Sequence, residues 1–342
     1  MSERRDPASG PVEPSIETAL SQMIAGYRIS QAIFVAVKLG IVDALTEGSR
    51  SGDELAASAG LNPAALHRLL VVLANAGVLR EAEPARFALT PMGALLQEGR
   101  PLRHSAVLGA ELFWRAYGEL AYTVQTGQSA FQRAFGMPIY DYLPRNPQAD
   151  AAYAGAMTAA TTAMAAVLTD SYDFSGVSTV VDVGGGRGAL LSRILTAHPH
   201  LRGILFDRPS TVGDTPDALE INQVASRCQV VSGSFFEGLP PGADLYILKW
   251  VISEWSDDRA ALILRNCRRA MDPGGRLLVI EPLDLPSNAL FNLNMLVTWN
   301  GGRVRSSADL AALLRDAGFS VEGVIPTPSP LSIVECRATA VS

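Results

Sequence analysis

The stretch Val180-Val181-Asp182-Val183-Gly184-Gly185-Gly186-Arg187-Gly188 is an apolar run that ends in closely spaced glycines. A buried strand that ends in glycine lets the backbone pass close to a ligand, where a Cβ atom would collide with it. The next apolar run, Gly203-Ile204-Leu205-Phe206, is followed by Asp207, and an acid at this point can accept hydrogen bonds from both hydroxyls of a ribose. Together the two features predict a site for a nucleoside cofactor.

The spacing of the glycines does not by itself define the cofactor. Glycines at 184, 186 and 188 read as G-x-G-x-G, whereas the dinucleotide fingerprint places its third glycine three residues after the second. Ala189 occupies that position, and the looser dinucleotide pattern tolerates it. NAD therefore stays open at this stage, and a glycine turn that binds no ligand is the weaker alternative.

Apolar runs and helical patterns alternate after the glycine motif. The runs lie at 180–183, 203–206, 229–231, 244–248 and 276–280, and helical patterns lie at 189–197, 260–271 and 307–317. This alternation is typical of a parallel, doubly wound sheet. Two last runs, 320–324 and 331–336, flank a proline-rich loop and predict an antiparallel hairpin at the sheet edge. The predicted fold class is α/β, a Rossmann-like sheet with a C-terminal antiparallel hairpin.

Five motifs, in order, resemble the S-adenosylmethionine-dependent O-methyltransferase family that includes plant caffeate methyltransferases and bacterial polyketide-tailoring methyltransferases. The motifs are Asp182-Val183-Gly184-Gly185-Gly186-Arg187-Gly188, Phe206-Asp207-Arg208-Pro209, Gly233-Ser234-Phe235-Phe236, Leu248-Lys249-Trp250-Val251-Ile252-Ser253-Glu254-Trp255-Ser256-Asp257-Asp258 and Gly301-Gly302-Arg303-Val304-Arg305-Ser306. The resemblance runs from about residue 16 to the end, and it implies S-adenosylmethionine as the cofactor. The cofactor-binding residues that it implies are Gly184, Gly186, Asp207 on the ribose, Ser234 and Phe235 beside the adenine, and Lys249.

Three positions depart from the family pattern. Ser253 stands where the family has its histidine general base, and Val304 stands where a glutamate orients that histidine. Ser234 replaces the aspartate that receives the adenine amine, whereas the acid at the end of the fifth strand, Glu281, is retained. The joint loss of the base and its orienting acid indicates the loss of the whole proton-abstraction device, so no catalytic residue is assigned from sequence.

Methyl transfer without that base is chemically feasible. Holding nucleophile and methyl group in line supplies effective molarities of roughly 10⁵ M or more, whereas general base catalysis adds only about 10²–10⁴-fold. An acidified phenol, an amine or an electron-rich aromatic carbon is therefore a sufficient acceptor. Ser253 is itself a poor base, because its hydroxyl would first have to be activated by a partner. The favoured interpretation of Ser253 is a small residue that lines the pocket.

A second hypothesis keeps the cofactor without the transfer. A fixed sulfonium charge in a dry pocket stabilises developing negative charge, which suits decarboxylation, hydroxylation or pericyclic steps. The segment from Gly301 to Arg305 resembles that of fold-family members from bacterial polyketide pathways that are thought to work in this way. Both hypotheses need the same cofactor site, so the sequence leaves them open.

The N-terminal third predicts a dimerisation module. The helix expected at Ile16–Lys38 is apolar on more than one face, and the pattern that follows it outlines a winged helix. The expected recognition helix, 64–76, offers only His67 and Arg68 to phosphates, and the net charge is −6, so DNA binding is excluded. By resemblance this module forms an intertwined homodimer. The predicted domains are a disordered tail, 1–14, a dimerisation domain, 15–104, and a cofactor-binding domain, 105–342, with a helical substrate-pocket segment, 105–176.

The remaining expectations concern the substrate and the compartment. By family position, Met157, Met295 and Trp299 line the pocket of a small aromatic acceptor together with Ser253. Three scattered cysteines and four histidines form no disulfide framework or metal site, so a cytoplasmic enzyme without metal is expected. The sequence contains no signal peptide and no apolar run of about 18 residues, so no membrane association is expected.

Overall fold

The computed structural model describes residues 15–213, 219, 222–284 and 288–339, so the tail predicted at residues 1–14 lies outside the described residues. The chain divides into two compact units, of which the first ends at Ala110 and the second begins at Glu111. The boundary predicted between residues 104 and 105 falls inside a helix, Pro101–Leu108, that belongs to the first unit.

The first unit consists of helices and a small antiparallel sheet. Its elements are α1 (Ile16–Lys38), α2 (Ile41–Ala44), β1 (Arg50–Ser51), α3 (Gly52–Ala59), α4 (Pro63–Asn75), β2 (Leu79–Glu83), β3 (Arg86–Leu89), α5 (Pro91–Ala94) and α6 (Pro101–Leu108). The strands pair in the order β1-β3-β2, so the β2–β3 hairpin follows two helices as in a winged helix. The outline predicted from the sequence is therefore present.

Helix α1 has the predicted bounds and divides into two halves of different exposure. Towards its C-terminal end, Ala36 and Val37 are buried in the core of the first unit. Towards its N-terminal end large apolar side chains are exposed, and Ile16 and Met23 reach 88% and 77% relative exposure. An uncovered apolar surface of this kind marks an interaction site.

The second unit is built around a seven-stranded sheet. Its strands are β4 (Thr179–Val183), β5 (Arg202–Asp207), β6 (Cys228–Ser232), β7 (Leu245–Lys249), β8 (Arg276–Glu281), β9 (Phe319–Pro326) and β10 (Ser332–Ala338). They pair in the order β6-β5-β4-β7-β8-β10-β9. The first five are parallel to their neighbours, whereas β10 runs antiparallel to both β8 and β9. The predicted Rossmann-like sheet with a C-terminal hairpin is confirmed.

Helices of the second unit surround this sheet. They are α7 (Trp114–Gly118), α8 (Leu120–Thr126), α9 (Ala130–Phe135), α10 (Ile139–Tyr142), α11 (Pro147–Asp170), α12 (Ala189–Ala197), α13 (Pro209–Val212), α14 (Asp257–Ala270), α15 (Ala289–Thr298) and α16 (Ser307–Asp316). Successive residues of a strand face opposite sides of the sheet. Accordingly Val181 and Val183 belong to one buried cluster, with Ile263 of α14, and Val180 belongs to the other, with Ile194 of α12.

Helix α11 corrects one expectation from the sequence. With 24 residues and a mean hydropathy of 1.3, it is long and apolar enough to cross a membrane by length and composition alone. In the structure Ala165 and Leu168 of α11 pack into the same core cluster as Leu191 of α12. About a third of the apolar window of α11, 33%, is buried, so part of its apolar surface is explained by core packing.

Candidate cofactor and substrate site

A cavity of about 350 Å³ opens at the carboxyl ends of β4, β5 and β7. In open parallel sheets, ligands bind outside the carboxyl ends of the strands, where the chain order reverses. Here β4 lies between β5 and β7, so the cavity lies at that reversal. The lining residues include Tyr140, Tyr153, Met157, Thr161, Asp182, Gly184, Gly185, Gly186, Asp207, Arg208, Ser234, Phe235, Lys249, Trp250, Glu254, Trp255 and Arg259.

The glycine turn after β4 forms one wall of this cavity. Gly184 and Gly186 have φ values of +68° and +59°, a conformation that favours glycine. A Cβ atom at Gly185 would lie 2.6 Å from Cγ of Asp182 and 2.5 Å from Cδ1 of Leu205. Side chains are therefore disfavoured at Gly184 and Gly186 by the backbone conformation and at Gly185 by lack of space, and the turn lines the cavity.

Asp207 is oriented by backbone donors. Its Oδ2 accepts a hydrogen bond from the Gly186 N–H at 2.8 Å, and its Oδ1 accepts one from the Arg208 N–H at 2.7 Å. Each carboxylate oxygen can accept more than one hydrogen bond. The carboxylate is thereby fixed beside the glycine turn, with acceptor capacity left for the hydroxyls of a ribose.

Asp182 and Lys249 are two lining residues that influence each other electrostatically. Burial raises the pKa of Asp182 to about 7, whereas the nearby Lys249 opposes that rise. Burial lowers the pKa of Lys249 to about 8, and its Nζ donates a hydrogen bond to Oγ1 of Thr161 at 2.7 Å. Among the described residues, Oδ2 of Asp182 has no hydrogen-bond partner. A ligand that donates a proton or carries positive charge would satisfy it.

Aromatic side chains line the end of the cavity at which Phe235 lies near the glycine turn. The Phe235 and Phe236 rings pack edge to face on Trp255, with centroids 6.1 and 4.8 Å away. The guanidinium of Arg259 lies over the Phe236 ring at 4.1 Å. Such surfaces stack on flat heteroaromatic rings. Ser234 lies at this end of the cavity and presents a hydroxyl where a carboxylate is expected from the family pattern.

Glu254 faces the cavity within a network of tyrosines. The Tyr140 hydroxyl donates to Oε2 of Glu254, and the Tyr153 hydroxyl lies 3.3 Å from that of Tyr140. Burial raises the pKa of Glu254 to about 8, although the hydrogen bond from Tyr140 opposes that rise. The Tyr140 ring stacks on the Trp255 ring. The Arg208 guanidinium lies over the Tyr140 ring, 4.4 Å from its centroid.

Ser253 is buried beside Glu281 and is absent from the lining of the cavity. The Ser253 N–H donates to Oε1 of Glu281 at 3.1 Å, and burial raises the pKa of Glu281 to about 7. Within the described chain, neither Oγ of Ser253 nor Oε2 of Glu281 has a hydrogen-bond partner. Met295 and Trp299 are also buried, and they too are absent from the cavity lining.

The Gly301–Gly302 pair brings its segment against the turn that carries Ser253 and Glu254. A Cβ atom at Gly302 would lie 3.0 Å from the Ser253 carbonyl oxygen. Arg305 is buried and donates to the Ile252 and Trp255 carbonyls at 2.7 and 2.9 Å. It also pairs with Oδ1 of Asp257 at 2.7 Å. Arg305 therefore fixes the backbone on both sides of Glu254.

The structure brings together the six predicted cofactor residues and Met157, since all seven line the cavity. Ser253, Met295 and Trp299 are not brought to that lining, so their place in a substrate pocket stays a prediction. The sequence reasoning missed Asp182, Tyr140, Tyr153 and Glu254 as site residues. For Asp182 and Glu254 the sequence did contain a signal, because both residues lie inside motifs shared with the methyltransferase family. The tyrosines lie in apolar helical patterns that indicate core packing, and nothing in their spacing marks them as polar site residues.

The chain belongs to the S-adenosylmethionine-dependent O-methyltransferase family. Residues 117–320 match the O-methyltransferase domain, and residues 21–99 match the O-methyltransferase dimerisation domain. The chain is therefore an S-adenosylmethionine-dependent methyltransferase, and its dimerisation domain implies a homodimer.

The relatives of this chain include enzymes with different named activities. A phenazine O-methyltransferase of Lysobacter antibioticus is 40% identical over 94% of this chain and 96% of its own. An aclacinomycin 10-hydroxylase of Streptomyces purpurascens is 33% identical over 96% of this chain and 93% of its own. One similar crystal structure is that of an O-methyltransferase from neocarzinostatin biosynthesis, in complex with S-adenosylmethionine and 2-hydroxy-5-methyl naphthoic acid. Its sequence is 33% identical to this chain, and the two structures align with a TM-score of 0.80 over 91% of this chain and 96% of that one.

The residues of the cavity fit S-adenosylmethionine. The cradle at Gly184–Gly186 is one that Cβ atoms would fill, and Asp207 beside it has the acceptor capacity that a ribose requires. The unpartnered oxygen of Asp182 suits a ligand with positive charge. When bound, this cofactor supplies an electrophilic methyl group on a sulfonium.

Proposed function

We propose that this enzyme transfers a methyl group to a hydroxyl or amino group of a small aromatic secondary metabolite. The pathway that we propose for it is one of antibiotic biosynthesis. The observation that carries the proposal is the cavity in which the glycine turn, Asp207 and Lys249 adjoin an aromatic wall. The names of the relatives support the substrate class, because they denote phenazine and naphthoic acid acceptors. Carbon methylation stays an alternative from the sequence.

The histidine base of the family is missing from this site. Ser253 stands in its place, and of the four histidines in the sequence, all of them within the described residues, none lines the cavity. The transfer therefore depends on orientation of an acceptor that is already acidic or nucleophilic, which supplies most of the rate in such displacements. We expect phenols acidified by a neighbouring carbonyl, and aromatic amines, to be the best acceptors.

Mass spectrometry tests this proposal. The purified protein, incubated with S-adenosylmethionine and a panel of hydroxylated and aminated naphthoates and phenazines, should yield products heavier by one methyl group, with equimolar S-adenosylhomocysteine. Matched acceptors whose hydroxyl is already methylated should give none. Absence of methylated products from the whole panel would contradict the proposed acceptor class.

A second candidate function follows from the same missing base. One relative is named a hydroxylase, and the sulfonium of the cofactor can stabilise charge without giving up its methyl group. In that case the substrate is converted without gain of methyl mass, while turnover still requires S-adenosylmethionine and leaves its concentration unchanged. Quantifying S-adenosylhomocysteine against product separates the two candidates. The cytoplasmic location stays a prediction from the cysteine content.

A further inference from the structure

We propose that Glu254 is the proton acceptor of this enzyme and replaces the missing imidazole from the next position in the chain. The inference rests on the proposed methyl transfer. Its structural basis is the contrast between two adjacent residues, because Glu254 lines the cavity and Ser253 does not. The carboxylate thus occupies the place from which an acceptor hydroxyl can be reached.

Glu254 has one oxygen held and one oxygen available. Oε2 accepts a hydrogen bond from the Tyr140 hydroxyl. Because the Tyr140 hydroxyl proton is used in this hydrogen bond, the Tyr153 hydroxyl donates to the hydroxyl oxygen of Tyr140. For Oε1, the described residues supply no hydrogen-bond donor. A carboxylate fixed through one oxygen, with the other directed at the reacting group, is the geometry that general base catalysis needs.

The other acids that line the cavity are Asp141, Asp150, Asp182 and Asp207. Both oxygens of Asp207 accept backbone N–H groups beside the glycine turn. Asp182 lies directly below Gly185, and Asp141 is exposed at the rim. Glu281 is buried behind Ser253 and does not line the cavity. Asp182 keeps a buried, unpartnered oxygen beneath Gly185, and Asp150 is half-buried on α11, whereas Glu254 is held by the Tyr140 hydroxyl through one oxygen and keeps the other for a substrate.

Neighbouring residues hold the Glu254 backbone in place. It lies in a 3₁₀ turn, Ile252–Glu254, and Arg305 binds the carbonyls of Ile252 and Trp255 on either side of it. The Ser253 carbonyl accepts the Arg303 N–H at 2.8 Å. The Gly-Gly-Arg-Val-Arg segment therefore acts here as a support for the acid, although Val304 lacks the carboxylate expected at that position.

In the proposed reaction, proton transfer to Glu254 accompanies methylation of the acceptor. The O–H or N–H bond of the acceptor breaks, and its proton goes to Oε1 of Glu254. The electron pair left on the acceptor forms the new bond to the methyl carbon, and the pair of the broken C–S bond stays on sulfur. The proton returns to solvent after product release. No oxidant, reductant or further reactant is needed.

The environment of Glu254 sets its working pH range. The titratable and charged groups that act on it are Tyr140, Tyr153, Asp207, Arg208, Lys249 and Glu281. Burial raises its pKa to about 8, close to the pKa that suits a base at neutral pH. Because the hydrogen bond from Tyr140 opposes this rise, loss of the Tyr140 hydroxyl should raise the pKa further.

A binding experiment tests the proposal without methyl transfer. The probe is 2-naphthol with saturating S-adenosylhomocysteine, since a phenol hydroxyl titrates only near pH ~10. As pH rises through the pKa of Glu254, the wild type should bind 2-naphthol about tenfold more tightly, because a carboxylate accepts a stronger hydrogen bond than a carboxylic acid. Glu254→Gln should abolish this pH dependence, and Glu322→Gln, an exposed control on β9, should retain it.

Two matched ligands and variants sharpen the result. The probe 2-methoxynaphthalene, which has no hydroxyl proton, should bind with no such pH dependence. Tyr140→Phe should shift the midpoint to higher pH, as expected for a positioning residue. If Glu254→Gln binds 2-naphthol with the wild-type pH dependence, or if the wild type shows none or does not bind the probe, the assignment is overturned.

Turnover gives an independent readout. With any acceptor that the wild type methylates, Glu254→Gln should lower kcat about 100-fold or more and remove the acid limb of the pH profile, while the Kd for S-adenosylmethionine stays within about threefold. Glu254→Asp should restore part of the rate. Full turnover by Glu254→Gln would refute the role of Glu254 as proton acceptor but would not contradict the proposed methyl transfer. If no methylated product is found, the pH dependence of 2-naphthol binding alone decides whether Glu254 is the proton acceptor.

Discussion

The Ser253 N–H donates a 3.1 Å hydrogen bond to Oε1 of Glu281, so Glu281 holds the backbone of the residue that we propose to stand in place of the family's base. Glu281 is buried at the end of β8, and Ser253 is buried and absent from the cavity lining. We therefore expect this pair to have a structural role and the chemistry to depend on groups that line the cavity.

The first prediction concerns Ser253→Ala. Because the mechanism that we propose needs no base at this position, kcat should stay within about tenfold of the wild type, well short of the ~10²–10⁴-fold that loss of a general base costs. Steady-state kinetics with an acceptor found in the mass-spectrometric panel measures it. A loss of a thousandfold or more, with folding and cofactor binding intact, would show that the serine acts directly.

The second prediction restores the family pair. The Arg303 N–H donates a hydrogen bond to the Ser253 carbonyl oxygen. The segment that contains residue 304 therefore already lies against the turn that contains residue 253. Ser253→His with Val304→Glu should extend activity to less acidic hydroxyl acceptors, because an imidazole needs its orienting carboxylate. Rates with phenols of increasing pKa measure the effect. The single histidine variant is the control, and it should gain less; equal gains would argue against orientation by residue 304.

The third prediction concerns the cofactor. Asp207→Ala should weaken S-adenosylmethionine binding by about 2 kcal/mol or more, about 30-fold in Kd, because it removes charge-assisted hydrogen bonds to the ribose. Calorimetry on the purified variant decides it, with the exposed Asp316→Ala on α16 as the matched control. An unchanged Kd, or tighter binding of NAD than of S-adenosylmethionine by the wild type, would be incompatible with the assigned role.

The fourth prediction concerns assembly through α1. Its exposed apolar side chains, Met23 and Ile24 among them, need a cover that a second copy supplies. Deletion of residues 1–38 should give insoluble or inactive protein, and Met23→Lys with Ile24→Lys should shift dimer towards monomer in light scattering. Deletion of residues 1–12 is the control and should change little. A stable, active monomer lacking residues 1–38 would exclude this helix as a subunit contact.

The fifth prediction concerns stability and pH. Burial raises the pKa of Glu254 from 4.5 to about 8 and that of Asp182 from 3.8 to about 7. Between the unfolded and folded pKa values the folded chain binds more protons, so the free energy of unfolding falls as pH rises through this window. Lys249, with its lowered pKa of about 8, acts in the opposite direction between pH 8 and 10.5.

Thermal unfolding of the cofactor-free protein at pH 5 to 8 measures this effect. Glu254→Gln should lose less Tm over that range than the wild type, because an amide does not titrate, and Asp182→Asn should behave similarly. The exposed control Glu322→Gln should follow the wild type. Parallel curves for all four proteins would mean that these acids keep ordinary pKa values in the folded chain.

Much of the fold follows from local pattern. Helices α1 and α12 have the bounds that apolar periodicity predicts, and the strands of the seven-stranded sheet lie within one or two residues of their predicted runs. Helix α14 begins at Asp257, three residues before the predicted start at 260. Its first turn is acidic, which favours a helix N-terminus but carries no apolar signal.

The chain of glycines, acids and alternating apolar runs determined the sheet, the position of the cofactor cavity and the family, because strand ends and turns depend on residues close in sequence. Only the tertiary structure decided which of two adjacent residues faces the cavity, since that depends on the 3₁₀ turn held by Arg305 and Glu281. It also brought Tyr140 and Tyr153 to Glu254, and each tyrosine is more than a hundred residues away from Glu254 in the sequence. Packing between distant helices sets such contacts, and no local spacing encodes them.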